Sequence, residues 1–158
     1  MPLRLTSPVF GDGGVIPKKY GSDGENISPP LAWYDVPDGT KSFAVLLDSR
    51  TDDGVQNHWI IFNIFRSIDD LPEHIPPQDT LPQWRHEGLS VRQGTNDFER
   101  VGYTGPLPSM QPPHDNTFTL YALDCQLHAK PGCRKDELFA SMQGHVLAQA
   151  ELAGIYPA

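Results

Sequence analysis

The sequence predicts a mainly β domain, most simply a sandwich with helices set against one end. Three observations carry that expectation. Several short segments are rich in β-branched and aromatic residues and are bounded by turn formers. The 16 prolines and 14 glycines are scattered along the chain rather than gathered in a linker, which suits many short strands joined by irregular loops. Helical periodicity is confined to the tail.

Taken in order, "LRLTS" (3–7) predicts a first short strand. "KSFAVLLDS" (41–49), "NHWIIFNI" (57–64) and "NTFTLYALD" (116–124) are the clearest strands. Between 65 and 115 the sequence predicts mostly loop, because "SIDDLPEHIPPQDTLPQW" is too proline-rich to be regular; a stretch of that kind usually carries function or wraps a core. In "RKDELFASMQGHVLAQAELAG" (134–154), Leu138, Phe139, Met142 and Val146 fall at helical spacing, with Ala150 one turn on. The reading is a C-terminal helix packed on the core, kinked or split at Gly144 and stopped at Gly154. No internal repeat or low-complexity segment is present.

A chain of 158 residues suits one domain, 1–158, able to bury a core unaided. Twelve basic residues against twenty acidic ones give a net charge of −8, which argues against nucleic acid, whose phosphates demand a basic face. A small anion needs only a local pocket of donors and is not excluded. No apolar stretch approaches the ~20 residues that span a bilayer. "MPLRLTSPVFGDGG" lacks the continuous apolar core of a signal peptide, so the expectation is a cytoplasmic protein. Cys125 and Cys133, in "DCQLHAKPGC", cannot make a disulfide framework and match no zinc spacing; two reduced thiols are expected.

Three groups carry candidate chemistry. Asp48 ends one strand, His58 begins the next and His114 precedes a third. Strict alternation would put His58 on the face of Ile60, Phe62 and Ile64, with Trp59 opposite, and His114 in phase with Phe118 and Leu120. Two imidazoles on apolar faces and a carboxylate, all at strand ends, can converge. Asp48 could hold one imidazole in a fixed tautomer and leave its other nitrogen for an anion; the same set could serve as acid and base, or as metal ligands. Each histidine could equally be a satisfied core residue. Against a serine hydrolase, there is no G-x-S-x-G elbow, and nothing marks Ser49 or Ser109 as a nucleophile. No H-E-x-x-H motif or close His pair supports a metal, "DSRTDDG" lacks EF-hand spacing, and no glycine-rich phosphate loop follows a strand.

"GENISPPLAWYDVPDGTKSFAVLLDS" (24–49), "HWIIFNI" (58–64), "QGTNDFERVGYTGPLP" (93–108), "PHDNTFTLYALD" (113–124) and "MQGHVLAQAELAGIY" (142–156) occur in this order. Together they resemble the phosphatidylethanolamine-binding protein (PEBP) family, in its bacterial Raf-kinase-inhibitor-like branch, over nearly the whole chain. The resemblance implies a PEBP-like β-sandwich of two antiparallel sheets with short C-terminal helices. It also implies a pocket that accepts phosphate, acetate or the phosphoryl head of phosphatidylethanolamine. Carried over residue by residue, the ligand-binding set is Asp48, His58, Gly105 with Pro106, and His114, and no cofactor is expected.

Two departures accompany the resemblance. The family's D-P-D-A-P reads "DSRTD" here, with Arg50 where a second aspartate is expected, and Asn116 stands where the family has tyrosine. If Arg50 faces the pocket it favours doubly charged phosphate over an ethanolamine ammonium; if it faces solvent it is a surface charge. Asn116 shortens the reach and adds an amide. His145 matches the family's G-H-V-L-A and is expected to hold a helix join; His74, His86 and His128 are expected at the surface. Trp33 and Trp59 are expected to pack, while Trp84 could rim the pocket or a partner interface. The primary expectation is a binding protein for a small anion or phospholipid head group, and not an enzyme. The alternative is a regulatory inhibitor of a kinase or protease through contacts around the pocket, and a hydrolase ranks third. Relatives' habits imply a homodimer.

Overall fold

A computed structural model describes residues 1–52, 54–108 and 114–156, with the side chain of His114 excepted; Asp53 and Ser109 lie outside the described residues. The strands are β1 (Arg4–Thr6), β2 (Gly14–Val15), β3 (Leu31–Tyr34), β4 (Ser42–Thr51), β5 (Gly54–Phe65), β6 (Asp70–Leu71), β7 (Thr80–His86), β8 (Leu89–Gln93), β9 (His114–Leu123) and β10 (Val146–Tyr156), with one α-helix, α1 (Lys135–Met142). They form a small sheet, β1-β3-β6, and a seven-stranded sheet, β2-β10-β9-β4-β5-β8-β7. The larger sheet is antiparallel except that β2 runs parallel to β10. The fold class is the mainly β one expected.

Two apolar layers fix this arrangement. Leu5, Leu31, Trp33 and Leu71 of the small sheet meet Phe43, Val45, Leu47, Trp59, Ile61 and Phe118 of the large one in the main core. On the other face of the large sheet, Ala44, Leu46, Ile60 and Phe62 pack with Leu127, Cys133, Leu138 and Met142 beneath α1. Strand β4 is therefore covered on both faces, which is why "SFAVLL" reads as an unbroken buried run rather than an alternating one. Cys125 and Cys133 are free thiols on this second side.

The tail departs from its helical reading. The helix covers only 135–142, and residues 146–156 form a strand that pairs with β9 from Val146↔Leu123 to Tyr156↔His114. Gly144, at φ 83°, turns the chain between them. The apolar spacing counted as helical also contains a two-residue period, in which Ala148, Ala150, Leu152, Gly154 and Tyr156 are the less exposed positions. An open β9 edge offers a full row of hydrogen bonds, and that tertiary opportunity overrides the helix propensity of the alanines.

The segment 65–115 is likewise more regular than expected, since it contains β6, β7 and β8. Pro82 is tolerated because β7 is the edge strand, and the register against β8 shifts between Leu81 and Arg85. Glu87 and Gly88 both have positive φ, 53° and 81°, as a two-residue hairpin turn requires. Trp84 lies half-buried against the main core. Among the described residues no helix is long and apolar enough to cross a membrane.

Side-chain amides tie the loops to this frame. Gln93, fully buried, accepts from Trp59 Nε1 at 2.8 Å and donates to the carbonyls of Pro76 at 2.7 Å and Gln78 at 2.9 Å. Replacing Gln93 by alanine strands the buried Trp59 indole N–H and removes bonds to two partly buried carbonyls, so Gln93→Ala is expected to lower unfolding free energy by about 2–3 kcal/mol. Urea denaturation measures this as a lower midpoint with an unchanged slope.

Candidate functional site

His58 is the extra residue of a β-bulge. Leu47 pairs with Trp59 and Asp48 with Asn57, so His58 has no partner on β4. The bulge breaks the alternation that would have set His58 beside Ile60 and Phe62. Those two pack under α1, Ile64 and Trp59 join the main core, and the His58 ring turns toward the segment Tyr103–Gly105. Nor is His58 at the mouth of its strand, because β5 already begins at Gly54.

The imidazole is held at both nitrogens. Nδ1 lies 2.9 Å from the Thr104 carbonyl and 3.1 Å from that of Gly105. Carbonyls only accept, so the ring proton sits on Nδ1 and Nε2 carries a lone pair. That lone pair faces Ser49 Oγ at 2.8 Å, which must then donate. Burial holds the imidazole below its ordinary pKa, against the opposing pull of the two carbonyls and of the Asp48 and Asp97 charges. His58 is therefore neutral at pH 7.

The surrounding segment is built by residues of the quoted motifs. Asn26, at φ 58°, presents Oδ1 to the Gly105 amide at 2.7 Å. Asn96 Nδ2 donates to the His58 carbonyl at 3.0 Å and to Thr104 Oγ1 at 3.0 Å, while the Thr104 amide returns a bond to the His58 carbonyl at 3.0 Å. Asp97 Oδ2 accepts from the Asn57 amide at 2.7 Å, and the Phe98 ring stands 4.9 Å from the imidazole. Gly105 is required by contact: a Cβ there would lie 2.2 Å from the Tyr20 carbonyl oxygen. The Pro106 carbonyl accepts from the Ser22 amide at 2.9 Å, which anchors the buried Gly105–Pro106 pair to the turn after Tyr20.

The structure separates the predicted set. Asp48 does not orient His58; its Oδ2 pairs with Lys135 Nζ at 2.8 Å and its Oδ1 accepts from Asn57 Nδ2 at 3.1 Å. The physical reason is alternation along β4, which sends Asp48 and its cross-strand neighbour Thr117 to the α1 side and Ser49 to the His58 side. Arg50, like Asp48, lines a cavity of about 300 Å³, with Ser49, Thr117, Tyr121 and Lys135. Asn116 is buried and pairs across the strands with Ser49. The His114 backbone begins β9 opposite Tyr156, and its side chain lies outside the described residues.

Ser49, Asn26, Asn96 and Asp97 were missed as site residues. Ser49 stands at the end of the expected strand 41–49 with nothing to mark it as a site residue; β4 runs on to Thr51. Asn26, Asn96 and Asp97 lay in plain view inside "GENISPPL" and "QGTNDFERVGYTGPLP", where clustered Asn and Asp residues flanked by glycines were the available signal. His74, His86 and His128 are exposed as expected. Trp84 does not line the cavity beside Asp48.

A model of the phosphatidylethanolamine-binding protein family matches residues 6–157. The UPF0098 protein of Methanothermobacter thermautotrophicus is 43% identical over 155 residues, covering 98% of each chain. That of Aquifex aeolicus is 37% identical over 98% of this chain and 88% of its own. Among solved structures, the PEBP homologue CT736 of Chlamydia trachomatis superposes with a TM-score of 0.85 at 34% identity, over 99% of this chain and 98% of that one. YbcL of Escherichia coli, at 24% identity over 100% and 99% of the two chains, has a TM-score of 0.84 and shows the shared fold.

A depressed imidazole pKa has a defined stability consequence. The unfolded chain takes up a proton at about pH 6.5, before the folded one does, so stability present above that pH is lost as the pH falls. In His58→Gln the group is absent, and unfolding free energy should fall less steeply between about pH 7 and pH 5 than in the wild type. Denaturant titrations across that range measure the difference in slope.

Proposed function

The chain belongs to the phosphatidylethanolamine-binding protein family, and from that membership and the His58 geometry we propose that it binds a small oxyanion or phosphorylated head group without turning it over. The observation that carries the reading is the state of His58, a buried neutral imidazole whose Nδ1 is fixed and whose Nε2, among the described residues, faces a serine hydroxyl. A phosphoryl oxygen arriving there supplies the negative charge that burial otherwise denies the ring. Nε2 can then take up a proton and donate, and Ser49 Oγ is released to donate to the same anion. Gly105 and Pro106 form the wall, and His114 and Asn116 on β9 are the proposed partners for the rest of the head group.

The same geometry weighs against nucleophilic chemistry, although Ser49 and His58 stand at a distance suited to it. An acyl or phosphoryl transfer needs free donors for the developing oxyanion. The Gly105 amide is taken by Asn26 and the Thr104 amide by the His58 carbonyl. Among the described residues this leaves a binding site with its nearest amides committed. A fluorophosphonate probe should accordingly leave Ser49 unmodified, as read by intact-protein mass spectrometry.

Histidine NMR through a pH titration, with inorganic phosphate and with phosphoethanolamine, tests the binding reading. Phosphate should shift the His58 Nε2 resonance and raise its titration midpoint. Ser49→Ala should weaken binding by roughly tenfold or more, the scale of one charge-assisted hydrogen bond. Arg50→Ala, two strand positions from Asp48, should bind phosphate as the wild type does. A His58 resonance indifferent to saturating amounts of both ligands would remove the proposal.

A further inference from the structure

We propose that Asp124, Cys125 and His145 form a binding site for a divalent metal of the zinc class, away from His58 and independent of the function proposed there. One carboxylate oxygen, the thiol sulfur and one ring nitrogen lie within 4.8 Å of one another. Asp124 already meets one of the other two: its Oδ1 is 2.8 Å from His145 Nδ1, and Cys125 follows it directly in the chain. In tetrahedral zinc sites, metal–ligand lengths of about 2.0–2.3 Å put neighbouring donors roughly 3.5 Å apart. Small side-chain rotations reach that geometry.

The backbone holds the three ligands in place. The Asp124 amide donates to the His145 carbonyl at 3.0 Å, so the two residues face each other across the β9–β10 join. The His145 amide donates to the last helical carbonyl, Met142, at 2.9 Å. Ser42 Oγ donates to the Cys125 carbonyl at 2.7 Å and fixes the chain where β9 ends. His145 thus sits at a join, as the sequence suggests, but the join links a helix to a strand.

The donor set decides the class of metal. Thiolate, imidazole and carboxylate together suit Zn²⁺ and its spectroscopic substitute Co²⁺, whereas Mg²⁺ and Ca²⁺ call for oxygen ligands. Asp124 and His145 are 43% and 45% exposed, so a fourth position is open to solvent or to a ligand. Binding releases one proton, from the thiol; the Nδ1 proton that faces Asp124 is exchanged for one on Nε2, so that Nδ1 binds the metal and the imidazole stays neutral. The dication then meets two anionic ligands and one neutral ligand, and the site closes without net charge.

Titration of the full chain with Co²⁺ under reducing conditions tests this. Expected are visible bands of tetrahedral cobalt saturating at one metal per chain, and a thiolate-to-cobalt charge-transfer band in the near ultraviolet, both lost on adding Zn²⁺. Cys125→Ser should abolish the charge-transfer band, and Asp124→Asn or His145→Ala should weaken Co²⁺ binding at least tenfold. Cys133→Ser, whose thiol packs under α1, should retain the full spectrum. No absorption in the wild type with excess Co²⁺, or a charge-transfer band that survives Cys125→Ser in a protein with unchanged circular dichroism, would overturn the assignment.

Discussion

The constraint on which the rest of the structure depends is that β4 and β5 are covered on both faces. Over Ser42–Leu47 and Asn57–Ile64 neither strand has a wet side, so polar groups that arise there are best satisfied from within the protein. The chain meets this with short side-chain amides and hydroxyls rather than with charges. Asn63 and Gln93 each bond to backbone groups of a neighbouring loop, Asn63 in both directions with Leu127, and Asn96 ties its own loop to the His58 carbonyl; Asn57 Nδ2 instead bonds the strand carbonyls of Leu47 and Trp59. The long segments that the sequence leaves irregular are thereby fastened to the sheet at defined points.

The candidate site is one more case of that requirement. A bulge places an imidazole inside the structure, and among the described residues its Nδ1 is satisfied by carbonyls of the Thr104–Gly105 segment. Those carbonyls in turn need the segment pressed close, which Gly105 permits and Asn26 secures. The result is an imidazole with its tautomer fixed by the fold. A base held neutral by burial, with one nitrogen committed and the other facing a hydroxyl, gains from an anion more than an exposed histidine does. This is the physical basis for assigning recognition to the site.

The separation of Asp48 from His58 also has a structural use. On the α1 face, Asp48 pairs with Lys135 at the first residue of the helix, with 24% and 27% side-chain exposure. Pairs of that kind contribute little free energy in solvent. Here the contact also locates the helix start over the sheet, together with the Glu137 carboxylate that accepts the Arg134 amide. Asp48, which looks like a ligand group in the sequence, thus contacts the first residue of α1.

What the sequence determined by itself is what local chemistry controls. The three apolar strands, the β class, the family resemblance and the exposed histidines were legible because apolar runs, turn formers and motif residues act over short range. The tertiary structure decided three things. It made 146–156 a strand, because only the assembled sheet presents the β9 edge that outweighs helix propensity. It gave β7 its proline, because edge position is a property of the sheet. It chose Ser49 over Asp48 as the partner of His58, because one bulge residue and one step of alternation reverse which side chains meet. A period of two is unforgiving: a shift of a single position moves a residue to the opposite face, and no local signal in "LLDSRT" announces where that shift occurs.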